Sequence, residues 1–263
     1  MKHYYLFIFF AIVLFFSNYS YGQENLSFTV NDVSFTMIFV EGGTFVMGCT
    51  PEQENCYTGE RPTHKVVLSD FFLGEFEVTQ KLWQAVMGVD IKQQWLAHYD
   101  GESIFKVQIT IMEDSWWGPV PTVYVRATPE DFSKDISLLL PGVGDNYPMF
   151  LINYRDCELF CSRLNLLLAD LLPEGYKFVI PTEAQWEYAA RGGKMSKGFR
   201  FSGSDIVDEV AWYSTNSEKT THEVGKKFKN ELGIYDMSGN VWERCRDRYS
   251  ESYYFTARLR EKP

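Results

Sequence analysis

The stretch Asn230–Tyr249 constrains this chain more than any other, because it crowds oxygen-bearing side chains, aromatics and turn-forming glycines into one short run. At its centre, Asp236-Met-Ser-Gly-Asn-Val-Trp-Glu243 sets two carboxylates around a glycine and an asparagine, residues that tolerate the backbone of tight turns. Hard cations take about six to eight oxygens, and a tight turn supplies carboxylates and carbonyls within a few residues. The residues themselves leave two readings open. One is a calcium site; the other is a turn that Asp236 and Asn240 stabilise by side-chain-to-backbone hydrogen bonds.

Further pieces recur in order along the chain: Gly43-Thr-Phe-Val-Met-Gly48, Glu60-Arg-Pro-Thr-His64, Glu77-Val-Thr79 and Pro181-Thr-Glu-Ala-Gln-Trp-Glu-Tyr-Ala-Ala-Arg-Gly-Gly193. With the Asn230–Tyr249 run, they resemble the sulfatase-modifying-factor family, whose best-known members are formylglycine-generating enzymes. The likeness covers roughly Phe35–Gly88 and Asn146–Tyr249. It implies an α+β, C-type-lectin-like formylglycine-generating-enzyme fold with short twisted strands, few helices and much ordered loop. It also implies calcium held by the Asp236 side chain, the carbonyls of Gly239 and Val241 and the Glu243 carboxylate.

In that family, oxidation of a target cysteine to formylglycine depends on a copper-binding cysteine pair after the Asn-Val-Trp-Glu motif, and paired thiolates suit Cu(I). Here Arg246–Pro263 holds no cysteine, and neither the Gly-Gly-Ser-Trp strand nor the final Gly-Phe-Arg that follow the motif in the family occurs in that stretch. Cys245 matches a structural cysteine beside the motif, while Arg244 and Arg248 stand where the family has tryptophans. The expectation is a non-catalytic binding or scaffold module with no copper and no catalytic residue. The alternative is a formylglycine-generating oxidase acting on a sulfatase cysteine, with a truncated product as a third reading.

The N-terminus reads as a secretory leader: Lys2 and His3, the apolar run Leu6–Phe16, then small and polar residues to Gly22. Cleavage after Gly22 leaves a domain over 23–263 and places it in a secreted or periplasmic setting. The apolar run falls short of the roughly 20 residues a bilayer span needs, so no stable membrane span is expected.

Export permits disulfides, and the cysteine count is 5, an odd number. Cys49 and Cys56 flank a polar loop and are the expected pair. Cys157 and Cys161 sit four apart on an apparent helix, as small apolar residues facing a core.

Between those landmarks, Phe35–Met47 alternates around Gly42-Gly43 and suits two short strands joined by a tight turn. His64–Phe72 reads as a third strand. Thr79 caps a helix with Leu82, Trp83 and Val86 on one side and Gly88 at its end. Asn153 caps a second helix, whose buried stripe is Cys157, Phe160, Cys161, Leu164, Leu167 and Leu168. Thr182 and Gln185 form a capping box for a third helix through Ala190, stopped by Arg191-Gly192-Gly193.

The segment 90–145 is an insertion relative to the family. It is expected to fold as a hairpin, from Phe105–Met112 and Val120–Val125, with a helix from Pro129. Its Trp116-Trp117 could meet a protein partner or a glycan, or seal the insertion onto the domain. With 35 acidic against 25 basic residues, net charge −10, and no clustered basic stripe, the chain repels phosphate backbones, so no nucleic acid is expected. His3, His64, His98 and His222 are scattered without metal-ligand spacing.

Overall fold

The computed structural model describes residues 9–10, 13–15, 24–53, 56–97 and 140–248. Its strands are β1 (Phe9–Phe10), β2 (Val13–Phe15), β3 (Leu26–Val30), β4 (Val33–Val40), β5 (Gly43–Met47), β6 (His64–Leu68), β7 (Phe71–Gly74), β8 (Lys177–Val179) and β9 (Glu243–Arg244). Its α-helices are α1 (Gln80–Met87), α2 (Ile91–Ala97), α3 (Tyr154–Leu167), α4 (Glu183–Ala190) and the single turn α5 (Val207–Val210).

The main sheet has five strands in the order β3-β4-β7-β2-β8, each antiparallel to its neighbour. Alternation along β4 and β7 gives it two apolar faces. Met37 and Phe72 face α1 and α3, packing with Leu82, Trp83, Phe160, Leu164 and Phe178. Ile38, Val40, Phe71 and Leu73 face α4, packing with Tyr188, Ala189, Ile234 and Met237. Trp83 and Phe160 stack with ring centroids 5.2 Å apart and bind α1 to α3.

Local chemistry places the helices where their caps require. Thr79 Oγ1 accepts from the Leu82 N–H, and Gly88 adopts φ 73° to end α1. Asn153 and Asp156 make a reciprocal capping box for α3, and Thr182 and Gln185 make one for α4. Leu167 departs from the expected α3 stripe, since it is 53% exposed while Leu168 is buried. Leu168, four residues after the buried Leu164, takes the inward position at the end of α3, and Leu167 falls on the exposed side.

Gly42-Gly43 does not close a hairpin. β4 joins the main sheet, whereas β5 pairs with β6 in a separate two-stranded ribbon. The cause is a backbone crossing: a Cβ at Gly42 would lie 2.4 Å from the Leu68 carbonyl oxygen, and the Gly42 N–H donates to Asp70 Oδ1 at 2.8 Å. For the same reason the expected strand His64–Phe72 is split into β6 and β7, with Ser69 and Asp70 at the crossing.

Cys49 and Cys56 form a disulfide, Cα to Cα 5.7 Å. Arg191, at the end of α4, holds the loop beside it. Its guanidinium donates to the Gly48 carbonyl at 2.7 Å, Gln53 Oε1 at 2.7 Å, Thr50 Oγ1 at 2.8 Å and Glu187 Oε1 at 2.9 Å. One planar fork thereby ties the β5 exit and the disulfide loop to α4.

Within the insertion, α2 is a helix the sequence reading did not anticipate, with Ile91 and Trp95 buried in the α1–α3 core. Phe105–Met112, Trp116-Trp117, Val120–Val125 and the helix from Pro129 lie outside the described residues. Among the described residues, no helix is long and apolar enough to cross a membrane.

Candidate functional site

Past α4 the chain is mostly ordered loop. The stretch from Gly192 to β9 contains only a 3-10 turn (Gly193–Met195) and α5 as helix. Its shape comes from side chains that replace ladder hydrogen bonds. Asn230 is the first such device: its amide donates to the Ala189 carbonyl at 2.9 Å, and its oxygen accepts from Leu232 N and Ile234 N.

The Asp236–Glu243 turn is the second. Asp236 and Asn240 both adopt left-handed backbone, φ 60° and 62°, as short polar residues can. Between them, Gly239 permits contact with the Trp212 strand-like segment. A Cβ there would lie 2.3 Å from the Trp212 carbonyl oxygen, which accepts the Asn240 N–H at 2.7 Å. The Asn240 side chain then closes the site: Oδ1 accepts from His222 N at 2.9 Å, while Nδ2 donates to Glu77 Oε2 at 2.7 Å and the His222 carbonyl at 3.1 Å.

Three carboxylates meet around this turn. Asp236 is 3% exposed, with Oδ2 accepting the Gly225 N–H at 2.7 Å and Oδ1 buried without a hydrogen-bond partner. Burial pushes its pKa up to about 6 despite that N–H. Glu77 is equally buried, and its Oε1 also lacks a partner. Its pKa is raised well above the carboxylate range, first by burial and then by the charges of Asp236 and Glu243. Glu243, on β9, is pushed up to about 7, by burial and then by Asp236. No described ion pair reaches any of the three.

Among the described residues, Glu77 and Asp236 are thus buried carboxylates with one unpartnered oxygen each. Of the expected residues, Asp236 and Glu243 interact electrostatically, and Gly239 and Val241 lie between them in the chain, Val241 N–H donating to the Gly239 carbonyl at 2.8 Å. Among the described residues, no three acidic, imidazole or thiol side chains converge in ligating geometry.

Glu77 was missed as a site residue, although Glu77-Val-Thr79 stood out as a motif. The available signal was an acidic residue directly before an apolar residue and a helix cap, where the chain turns inward. Asn240 does more than stabilise its own turn, because it links Glu77 to the His222 segment across the fold.

His222 is held by structural contacts: its ring stacks on Trp212 at 3.8 Å, and Nε2 bonds to the Ser217 carbonyl at 3.0 Å. Lys227 Nζ lies 4.0 Å from the centre of the Trp212 ring. β9 also pairs in parallel with β1, Phe9 opposite Glu243 and Phe10 opposite Arg244. The apolar N-terminal stretch thus borders this site.

The remaining chemistry-bearing groups are thiols. Cys157 and Cys161 are buried on α3 beside Phe160, and burial pushes Cys157 up to about 12 and Cys161 well above its ordinary value. Cys245 is a free, partly buried thiol raised by burial and by the neighbouring Glu183 carboxylate.

Comparison with known proteins places this geometry. The family profile described as "Sulfatase-modifying factor enzyme 1-like domain" matches residues 26–261. A protein of Paenibacillus barcinonensis named "Chaperone protein LppX" is 32% identical over 239 residues, covering 83% of this chain and 73% of its own length. The formylglycine-generating enzyme of Thermomonospora curvata is 25% identical over 242 residues, 84% of this chain and 74% of the enzyme. Among solved structures, Treponema denticola variable protein 1 superposes with a TM-score of 0.58 at 26% identity, over 86% of this chain and 77% of that one.

Proposed function

This chain belongs to the sulfatase-modifying factor enzyme 1-like domain family and has its C-type-lectin-like α+β fold, and we propose that it works there as an exported, calcium-stabilised binding or scaffold module rather than as an oxidase. The observation that carries this reading is the state of the thiols. Copper-dependent oxidation of a cysteine needs a preorganised pair of ionisable thiolates beside the substrate. Cys49 and Cys56 are joined to each other, and Cys157, Cys161 and Cys245 are all held protonated by burial. The name of the Paenibacillus relative, a chaperone, supports a role in binding another polypeptide.

Calcium would be held by Asp236, Gly239, Val241 and Glu243, with Glu77 buried beside them. Its contribution is charge: a divalent ion lets the crowded carboxylates ionise, and so locks the loop half onto the sheet. Glu77 and Asn240 position the turn. Export follows from the leader, with cleavage after Gly22 giving a domain over 23–263 that is secreted or periplasmic, a setting suited to the Cys49–Cys56 bridge. Contact with a protein partner or glycan through the insertion at 90–145 belongs to the same reading.

The test is conversion of a sulfatase-derived cysteine peptide to an aldehyde by the full chain supplied with copper, followed by mass and aldehyde labelling. No conversion is expected. Copper-dependent turnover, lost when two of the five cysteines are changed, would make the chain a formylglycine-generating oxidase.

A further inference from the structure

The position of β2 in the main sheet carries an inference about what this module binds. β7 and β8 do not pair with each other; β2 lies between them and is antiparallel to both. Val13 stands opposite Leu73 on one side and Val179 on the other, and Leu14 opposite Phe72 and Phe178. Val13–Phe15 belong to the apolar N-terminal run that reads as a leader. Cleavage after Gly22 would therefore remove an interior strand of the sheet.

The vacated position differs from an ordinary sheet edge. It would offer two facing rows of unpaired N–H and C=O groups, one from β7 and one from β8, flanked by the side chains of Phe72 and Phe178, which are buried when β2 is in place. A strand entering it pairs on both sides, whereas common strand addition pairs on one. The seated β2 shows the backbone that fits, a short extended segment running antiparallel to both neighbours, and the buried Phe72 and Phe178 favour apolar side chains on it.

We propose that the space between β7 and β8 is a strand-acceptor slot, opened by removal of the leader, that binds an extended apolar segment of another polypeptide chain. This rests on the binding-module reading above and gives that module a ligand class. The leader segment serves as the slot's own placeholder until export. A free strand end of an incompletely folded client has the chemistry required, because its backbone groups and apolar side chains are both unsatisfied in water.

The test uses the full chain with a protease site inserted between Gly22 and Gln23, folded first and cut afterwards. The probe is a fluorescent peptide of the sequence Phe9–Asn18 with solubilising lysine tails. The uncut chain is expected to ignore it, and the cut chain to bind it with a dissociation constant on the order of micromolar. A peptide carrying Leu14→Pro should bind at least about tenfold more weakly, since proline removes a ladder donor. In the uncut chain, Phe15→Cys with Lys177→Cys should cross-link on oxidation, because these residues are directly opposed, and should block exchange after cutting. Val13→Cys with Lys177→Cys should not.

Equal cross-linking of the two pairs would remove the slot. A cut chain that keeps its own segment and refuses the peptide, or that fills the slot by pairing with a second copy, would overturn binding in trans. Aldehyde formation by the same cut protein would overturn the non-catalytic reading and leave the peptide result standing, so the two failures are distinguishable.

Discussion

The half of the molecule built on α1, α3 and α4 and the loop half that ends at Glu243 keep their shape by different physics. In the first, Trp83, Phe160, Phe72 and Phe178 fill the space between helices and sheet, and stability comes from apolar burial that neither salt nor metal alters greatly. In the second, Asn230, Asn240 and Asp236 hold an irregular path by hydrogen bonds, and the carboxylates of Glu77 and Asp236 are buried with no ion pair among the described residues. The frame therefore rests on packing, and the loop half on hydrogen bonds between side chains and backbone.

The largest expected effect tests the packed half. Trp83→Ala removes a fully buried ring stacked on Phe160 and should cost about 3–5 kcal/mol in chemical denaturation. The rise in melting temperature on adding calcium should stay the same in this variant. A changed calcium response would mean that the two halves are one cooperative unit.

Arg191→Lys keeps the charge but loses the fork that reaches Gly48, Thr50 and Gln53. It should cost about 1–3 kcal/mol, again independent of calcium. Parallel denaturation with and without the ion checks this.

The pH dependence sharpens the contrast from the other side. With calcium chelated, the folded state binds protons at Asp236 and Glu243 more tightly than the unfolded chain, since their values rise from 3.8 to about 6 and from 4.5 to about 7. Their contribution to stability is fully present below the unfolded values and is lost as pH rises through about 6 to 7. Melting temperature of chelated protein should therefore fall between about pH 5 and 7.5, and saturating calcium should flatten the curve. A chelated sample that becomes more stable over that range would contradict the charge account.

The smallest shift in the metal-free protein is expected from Glu77→Gln, a neutral group of the same shape. The metal-free melting temperature at pH 7.5 should move by no more than about 2 °C, while roughly half of the calcium-dependent rise should disappear. Calorimetric scans of both proteins decide it.

The sequence made different parts of this architecture visible for reasons of range. Helix ends were legible because Thr79, Gly88, Asn153 and the Thr182–Gln185 box act within one turn of themselves. The Cys49–Cys56 bridge was legible for the same local reason. The separation of β4 from β5 was not, because it depends on Gly42 meeting the Leu68–Asp70 backbone. Within the site, the Asp236–Glu243 turn announced itself as one compact run. Glu77 did not, since it reaches the turn from 163 residues away, where it accepts a hydrogen bond from Asn240. Nor did the pairing of Val13–Phe15 with β7 and β8, which no periodicity in a uniformly apolar stretch could indicate.

Thermal unfolding at pH 7.5 tests most directly the proposal that calcium completes the carboxylates around the Asp236–Glu243 turn. Protein stripped with EDTA is compared with the same protein at about 100 times the dissociation constant of calcium, where a native-state site adds roughly 2.7 kcal/mol. The account predicts a rise of about 5–10 °C, weakened strongly by Glu243→Gln. Identical melting temperatures with and without calcium would contradict it.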